Sequence, residues 1–114
     1  MHQNALRLSS DELIELRREA GFWLRQLREA QGLSQRKLAE QVGAEYYTLI
    51  AQLEGGRGRI SPDHYLQWAK ALGVEPKLFV RTLLRFYDPV THAILFESGS
   101  FPANEKVPPE IDLH

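Results

Sequence analysis

The chain reads as an all-α protein, a small bundle of short helices with tight connections, on three observations. Apolar residues recur at the three- and four-residue spacing of one helical face, as at Leu13, Leu16, Ala20, Leu24 and Leu27. Serine or proline stands where such runs begin, and glycine where they stop: Ser9 and Gly32, Ser34 and Gly43, Pro62 and Gly73. The third is size, since 114 residues support one compact domain with length left over for arms or tails. A body of roughly 80 to 90 residues buries a usable but small core.

Each element has its own signals. Ser9 and Glu12 stand in the spacing of a capping box and open the first helix. Its apolar face runs through Leu13, Leu16, Ala20, Trp23 or Leu24, and Leu27, and Gln31-Gly32 ends it with glycine in the left-handed cap. Gly21 marks either a bend or a place where another backbone comes close. Ser34 caps a short second helix with Leu38, Ala39 and Val42 facing inward, closed by Gly43. The third runs from about Glu45 to Glu54, with Tyr46, Ile50 and Leu53 on its inner face. Gly55-Gly56-Arg57-Gly58-Arg59 is a loop, because glycines so dense cost too much inside a helix.

Ser61-Pro62 restarts helix with serine as cap and proline at the first position, and Tyr65, Leu66, Trp68, Ala69 and Leu72 supply its buried face. Pro76 opens a fifth helix carrying Phe79, Val80, Leu83 and Leu84. Asp88-Pro89 leads into a segment, Val90 to Glu97, that fits either a helix stopping at Gly99 or a strand. The chain divides into an N-terminal arm (1–9), a helical domain (10–87), a C-terminal extension (88–99) and a Pro-containing, acidic, flexible tail (100–114).

Composition narrows the function. There is no cysteine, so disulfides and thiolate metal sites are excluded and a reducing compartment is the natural setting. No apolar run approaches the roughly 18 residues of a membrane span, and Met1-His2-Gln3-Asn4 does not begin a signal peptide. The expectation is a soluble cytoplasmic protein. Its net charge of −1 is unevenly spread: −2 over residues 1–16, +3 over 17–59, +2 over 60–87 and −4 over 88–114. A basic middle between acidic ends suits a modest phosphate-binding face rather than an indiscriminate polycation.

Enzyme chemistry finds no footing. His2, His64, His92 and His114 are scattered, with no pair at metal-ligand spacing beside an acidic partner. No nucleophile motif or cofactor fingerprint appears, and the Gly-rich loop lacks the Lys-Ser/Thr ending of a phosphate-binding loop. No catalytic role, cofactor or metal is expected.

Two short helices joined by a tight Gly-containing turn inside a small bundle form the arrangement that places a helix in a major groove. Leu27-Arg28-Glu29-Ala30-Gln31-Gly32-Leu33-Ser34-Gln35, followed by Leu38-Ala39-Glu40-Gln41-Val42-Gly43, resembles the lambda-repressor-like (Cro/CI, or XRE) helix-turn-helix family. So do Ile50-Ala51-Gln52-Leu53-Glu54, Gly56, and Trp68-Ala69-Lys70-Ala71-Leu72-Gly73-Val74, over a stretch from about Gly21 to Leu83. The resemblance implies a five-helix DNA-binding domain, here with an extended first helix and a short C-terminal extension. One departure stands out. Measured from Gly43, the apolar residue heading the Ile-x-x-Leu-Glu segment falls one position later than the family pattern, which implies an extra residue around Ala44-Glu45-Tyr46-Tyr47.

With Ile50 at the core and 100° per residue, Tyr46 and Leu53 point inside, and Glu45, Thr48, Ala51 and Gln52 point out with Tyr47 at the border. Gln52 can bond adenine N6 and N7, while Thr48 and Tyr47 can reach a base edge, a thymine methyl or a phosphate. Glu45 can accept from cytosine N4 or oppose phosphate and so exclude poor sites. The resemblance assigns Gln35 to a DNA-backbone contact at the start of the second helix, where Arg36 is its neighbour. Arg57 and Arg59, in the loop after the recognition helix, add phosphate contacts. Arg28 and Glu54 match a buried ion pair of the family and have a structural role.

The leading expectation is a regulator of transcription, a repressor binding double-stranded DNA as a homodimer on two half-sites. Leu83-Leu84, Phe86-Tyr87 and Ile94-Leu95-Phe96 are candidates for its apolar contact, with the Leu13/Leu16 face as one alternative and capping of the monomer's own core as the other. An antitoxin whose arm or tail binds a protein partner, and a helix-turn-helix protein used only for protein contacts, are the two other readings.

Overall fold

A computed structural model describes residues 8–97. The tail expected from Ser100, the stop at Gly99 and all but the last two residues of the arm lie outside the described residues. Within them run six α-helices, α1 (Ser10–Ala30), α2 (Gln35–Val42), α3 (Tyr47–Glu54), α4 (Tyr65–Leu72), α5 (Pro76–Tyr87) and α6 (Pro89–Phe96), with a 3₁₀ turn at Pro62–His64. The all-α expectation holds, and the ambiguous C-terminal segment is a helix.

The capping box forms as spaced: Ser9 N–H donates to Glu12 Oε1 at 2.7 Å, and Glu12 N–H to Ser9 Oγ at 3.1 Å. Only the later part of α1 enters the core, through Ala20, Gly21, Leu24 and Arg28. Its first turns bury no side chain, and Leu13, expected on the inner face, is exposed. Trp23 stacks on Phe79 of α5 with centroids 5.5 Å apart and also meets Phe86. Around this seam Leu38, Ile50, Leu72, Phe79 and Leu83 are fully enclosed, each contributing roughly 1.5–3 kcal/mol of burial.

Four local expectations need correction. The third helix starts at Tyr47 rather than Glu45, and Tyr46 is not a core residue: it precedes the helix in extended backbone and is 68% exposed. Leu66 also faces outward, because α4 buries Trp68, Ala69 and Leu72 and Leu66 lies off that stripe. Ser61 bonds Asp63 Oδ1 instead of capping a backbone N–H, and the chain passes through the 3₁₀ turn before α4. Leu83 and Tyr87 fill the core with Phe79 at i, i+4 and i+8, so neither is free for a dimer contact.

α6 packs on α5 and buries only His92 among its own residues. Asp88, at the junction, does not cap it; its carboxylate receives both Nη atoms of Arg59. The Arg59 guanidinium lies 4.9 Å from the ring centroid of Tyr87, and Arg17 approaches the same ring at 5.6 Å. Tyr87 Oη accepts the Ile60 N–H, which ties the loop after α3 to the end of α5. Burial holds the Tyr87 phenol above its ordinary range.

Candidate nucleic-acid interface

α2 begins at Ser34, whose Oγ accepts the Lys37 N–H at 3.0 Å, and ends at Gly43 in left-handed backbone, φ 72°. The Ala44 N–H then returns to the Ala39 carbonyl, which completes the glycine cap and releases the chain at a sharp angle. Ala44, Glu45 and Tyr46 make the turn, and α3 follows without a capping side chain.

The far end of α3 is anchored to α1. Arg28 Nε donates to Glu54 Oε2 at 2.6 Å and Nη2 to Oε1 at 3.1 Å, a bidentate pair with side chains only 10% and 4% exposed. The third guanidinium nitrogen donates to the Leu33 carbonyl at 2.7 Å, and Gln35 Nε2 donates to Glu54 Oε1 at 3.1 Å. Both carboxylate oxygens of Glu54 therefore accept from donors of the α1–α2 corner. The hydrogen bond to Glu54, opposed by burial, holds the Arg28 guanidinium above its already high range. Beside this pair Gly21 lies against α3: a Cβ there would meet the Glu54 carbonyl, with Glu54 C at 2.6 Å and Leu53 O at 2.7 Å. Of the two readings of Gly21, the close backbone approach is the one realised, and α1 continues as helix through it.

Thr48 and Gln52 are exposed on the outward face of α3, while Ile50 and Leu53 are buried behind them. Tyr47 opens the helix half-exposed, with the Arg36 guanidinium 4.8 Å from its ring centroid. Gln35 is half-buried at the first position of α2, steadied by Glu54. Glu45 is exposed in the turn rather than on the helix. Arg57 is exposed in the following loop, with its guanidinium beside Gly55. Among these residues the contacts that join the two helices are Arg36 over Tyr47 and Gln35 on Glu54. Arg59 stands apart from them, its charge shared with Asp88, and that partner keeps the guanidinium raised above its ordinary range.

Sequence reasoning did not single out Leu49. It lies on α3 between Thr48 and Ile50 and is 41% exposed, on the flank shared with Gln52 three residues on. The helical wheel could have found it: 100° from Ile50, it is neither core nor outermost. The outward face of α3 carries no charge, its one ionisable residue besides Tyr47 being the paired Glu54. α2, by contrast, exposes Arg36, Lys37 and Glu40.

Two short helices joined by a tight turn at a left-handed glycine inside a small bundle have the arrangement of a helix-turn-helix domain. Residues 24–79 match the family model described as Helix-turn-helix, and the domain belongs to that family, of the XRE or Cro/CI type. The matched stretch holds α2, α3 and α4 whole with parts of α1 and α5. Neither the curated proteins nor the solved structures give a match to the chain. The family identifies the protein as a DNA-binding regulator. No helix among the described residues is long and apolar enough to cross a membrane.

Proposed function

We propose that the protein is a sequence-specific repressor that binds double-stranded DNA as a cytoplasmic homodimer and reads the major groove with α3. The observation that carries this reading is the outward, uncharged face of α3, with Thr48 and Gln52 presented beyond a buried anchor. Gln52 bonds adenine N6 and N7, Thr48 touches the neighbouring base edge, and Glu45 screens the mouth of the groove. Gln35 and Arg36 at the start of α2, Tyr47 beside Arg36, and Arg57 beyond α3 hold the phosphates on either side. Arg59 adds little, because phosphate must compete with Asp88 for it.

A recognition helix of this length reads few base pairs, and two half-sites about 34 Å apart give the missing affinity. The exposed apolar side chains of α6, Val90, Ile94, Leu95 and Phe96, are the contact proposed for a second copy. Residues 88–99 then serve as the dimerisation extension and 10–87 as the DNA-binding domain.

The test is binding of an operator selected from random duplexes. Gln52→Ala weakens that operator by about 1–3 kcal/mol and leaves bulk DNA unaffected. Arg57→Ala weakens both and lowers the salt slope by about 1. Equal losses on all DNA from both substitutions would remove base reading by Gln52. Sedimentation of a monomer at micromolar concentration, with and without operator, would remove the dimer.

A further inference from the structure

We infer that Leu49 is a specificity-determining residue which packs its side chain against the C5-methyl group of a thymine in the major groove. The inference rests on the proposed reading of DNA by α3 and names one part of what it reads. Four features lead to it. Leu49 is 41% exposed although Ile50 and Leu53 beside it are enclosed, so it is a large apolar group left at the surface by the packing. It lies three residues before Gln52, on the flank between Gln52 and the buried Leu53. No charge lies on that face of α3, and the cations, Arg36 and Arg57, stand beyond its two ends. Tyr46, also exposed, precedes the helix three residues before Leu49, and Leu49 N–H donates to its carbonyl at 3.1 Å.

The chemistry of the groove selects the occupant. Phosphate and sugar reward charge and hydrogen bonding, which Leu49 lacks. The thymine methyl is the one apolar group that a standard base presents in the major groove, and aliphatic contact with it distinguishes thymine from cytosine. Gln52 offers the complementary pairing to adenine on the same flank. The two side chains therefore favour an A·T-containing step, with adenine opposite or next to the contacted thymine.

The experiment leaves the protein intact and alters the DNA. Full-length protein selects an operator from random duplexes, and each thymine is then replaced in turn by deoxyuridine, which lacks only the methyl. At one thymine per half-site the wild type should lose about fourfold in affinity, the worth of one buried methyl group. With Leu49→Ala the same replacement should change affinity by less than about 1.5-fold, and Leu49→Met should restore most of the discrimination. Thermal unfolding of both variants confirms that they are folded. An operator indifferent to uracil at every thymine overturns the role of Leu49 alone. Uracil sensitivity that persists undiminished in folded Leu49→Ala does the same, since another group then reads the methyl. Selection that enriches no sequence overturns the DNA-reading proposal itself, and this inference with it.

Discussion

At its C-terminal end α3 is fixed from three directions, by the Arg28 fork, by Gln35 and by the backbone of Gly21 pressed against Glu54. At its N-terminal end nothing comparable exists: Tyr46 is extended and exposed, no side chain caps the helix, and Tyr47 meets only Arg36 at the surface. An eight-residue helix is too short to be stable alone, so its direction comes from what it is packed against. Fixing one end sets the angle at which α3 leaves the bundle. The other end and the outward face are left free to meet a ligand. The two ends of a single short helix are thus held very differently.

The pinned end should break first and hardest. Glu54→Ala removes the acceptor of both Arg28 and Gln35 and leaves a guanidinium buried without its counter-charge. The expected loss is about 3–5 kcal/mol, read as a lower urea midpoint at unchanged slope. A loss below about 1 kcal/mol would mean that water reaches Arg28 and that the anchor is weaker than its geometry. Glu54→Gln, which keeps one acceptor oxygen, should fall between.

Gly21→Ala ranks next. In an ordinary helix this change gains up to about 1 kcal/mol. Here the added Cβ overlaps the backbone of Glu54 and Leu53, which cannot rotate away as a side chain would. The clash outweighs the propensity, and a net loss of about 1–3 kcal/mol is expected in the same unfolding assay. A neutral or stabilising result would show that α1 and α3 are not held this closely in solution.

The contrast also explains what could be read from the sequence. Features that depend on one residue type at one place were legible: the Ser9–Glu12 box, the Ser34 cap, the left-handed Gly43 and the two readings of Gly21. The Arg28–Glu54 pair came through family resemblance, and its geometry now has a local cause in the Leu33 and Gln35 contacts. Tyr46 falls on the inner face of a helical wheel only if the residue is helical, and it is not. The spacing implies an extra residue, yet periodicity cannot say where helix begins, and α3 begins only at Tyr47. Leu13 shows the complementary limit, since an apolar stripe does not reveal where its neighbours end. In α5 the adjacent apolar pairs looked surplus, but one of each pair, Leu83 and Tyr87, faces the core. Of the candidate DNA-contacting residues, Thr48, Gln52 and Arg57 are exposed, Gln35 is engaged by Glu54, and Arg59 is drawn to Asp88.

The free end of α3 offers the smallest effect and the sharpest test of the contrast. Tyr46 already has the extended backbone of an N-cap residue, φ −129° and ψ 134°, but lacks an oxygen close enough to its own backbone to bond the first N–H groups. Being exposed, it has little burial to lose. Tyr46→Ser therefore stabilises the fold by about 0.5–1 kcal/mol, against the usual sign for replacing an aromatic residue. Tyr46→Asp should do so at least as well, through the positive end of the helix, while adding a negative charge at the mouth of the groove. Its prediction is divided: a higher urea midpoint together with weaker operator binding that recovers as salt is raised relative to wild type. If both variants destabilise, Tyr46 holds the turn, and the two ends of α3 are not built as differently as their contacts indicate.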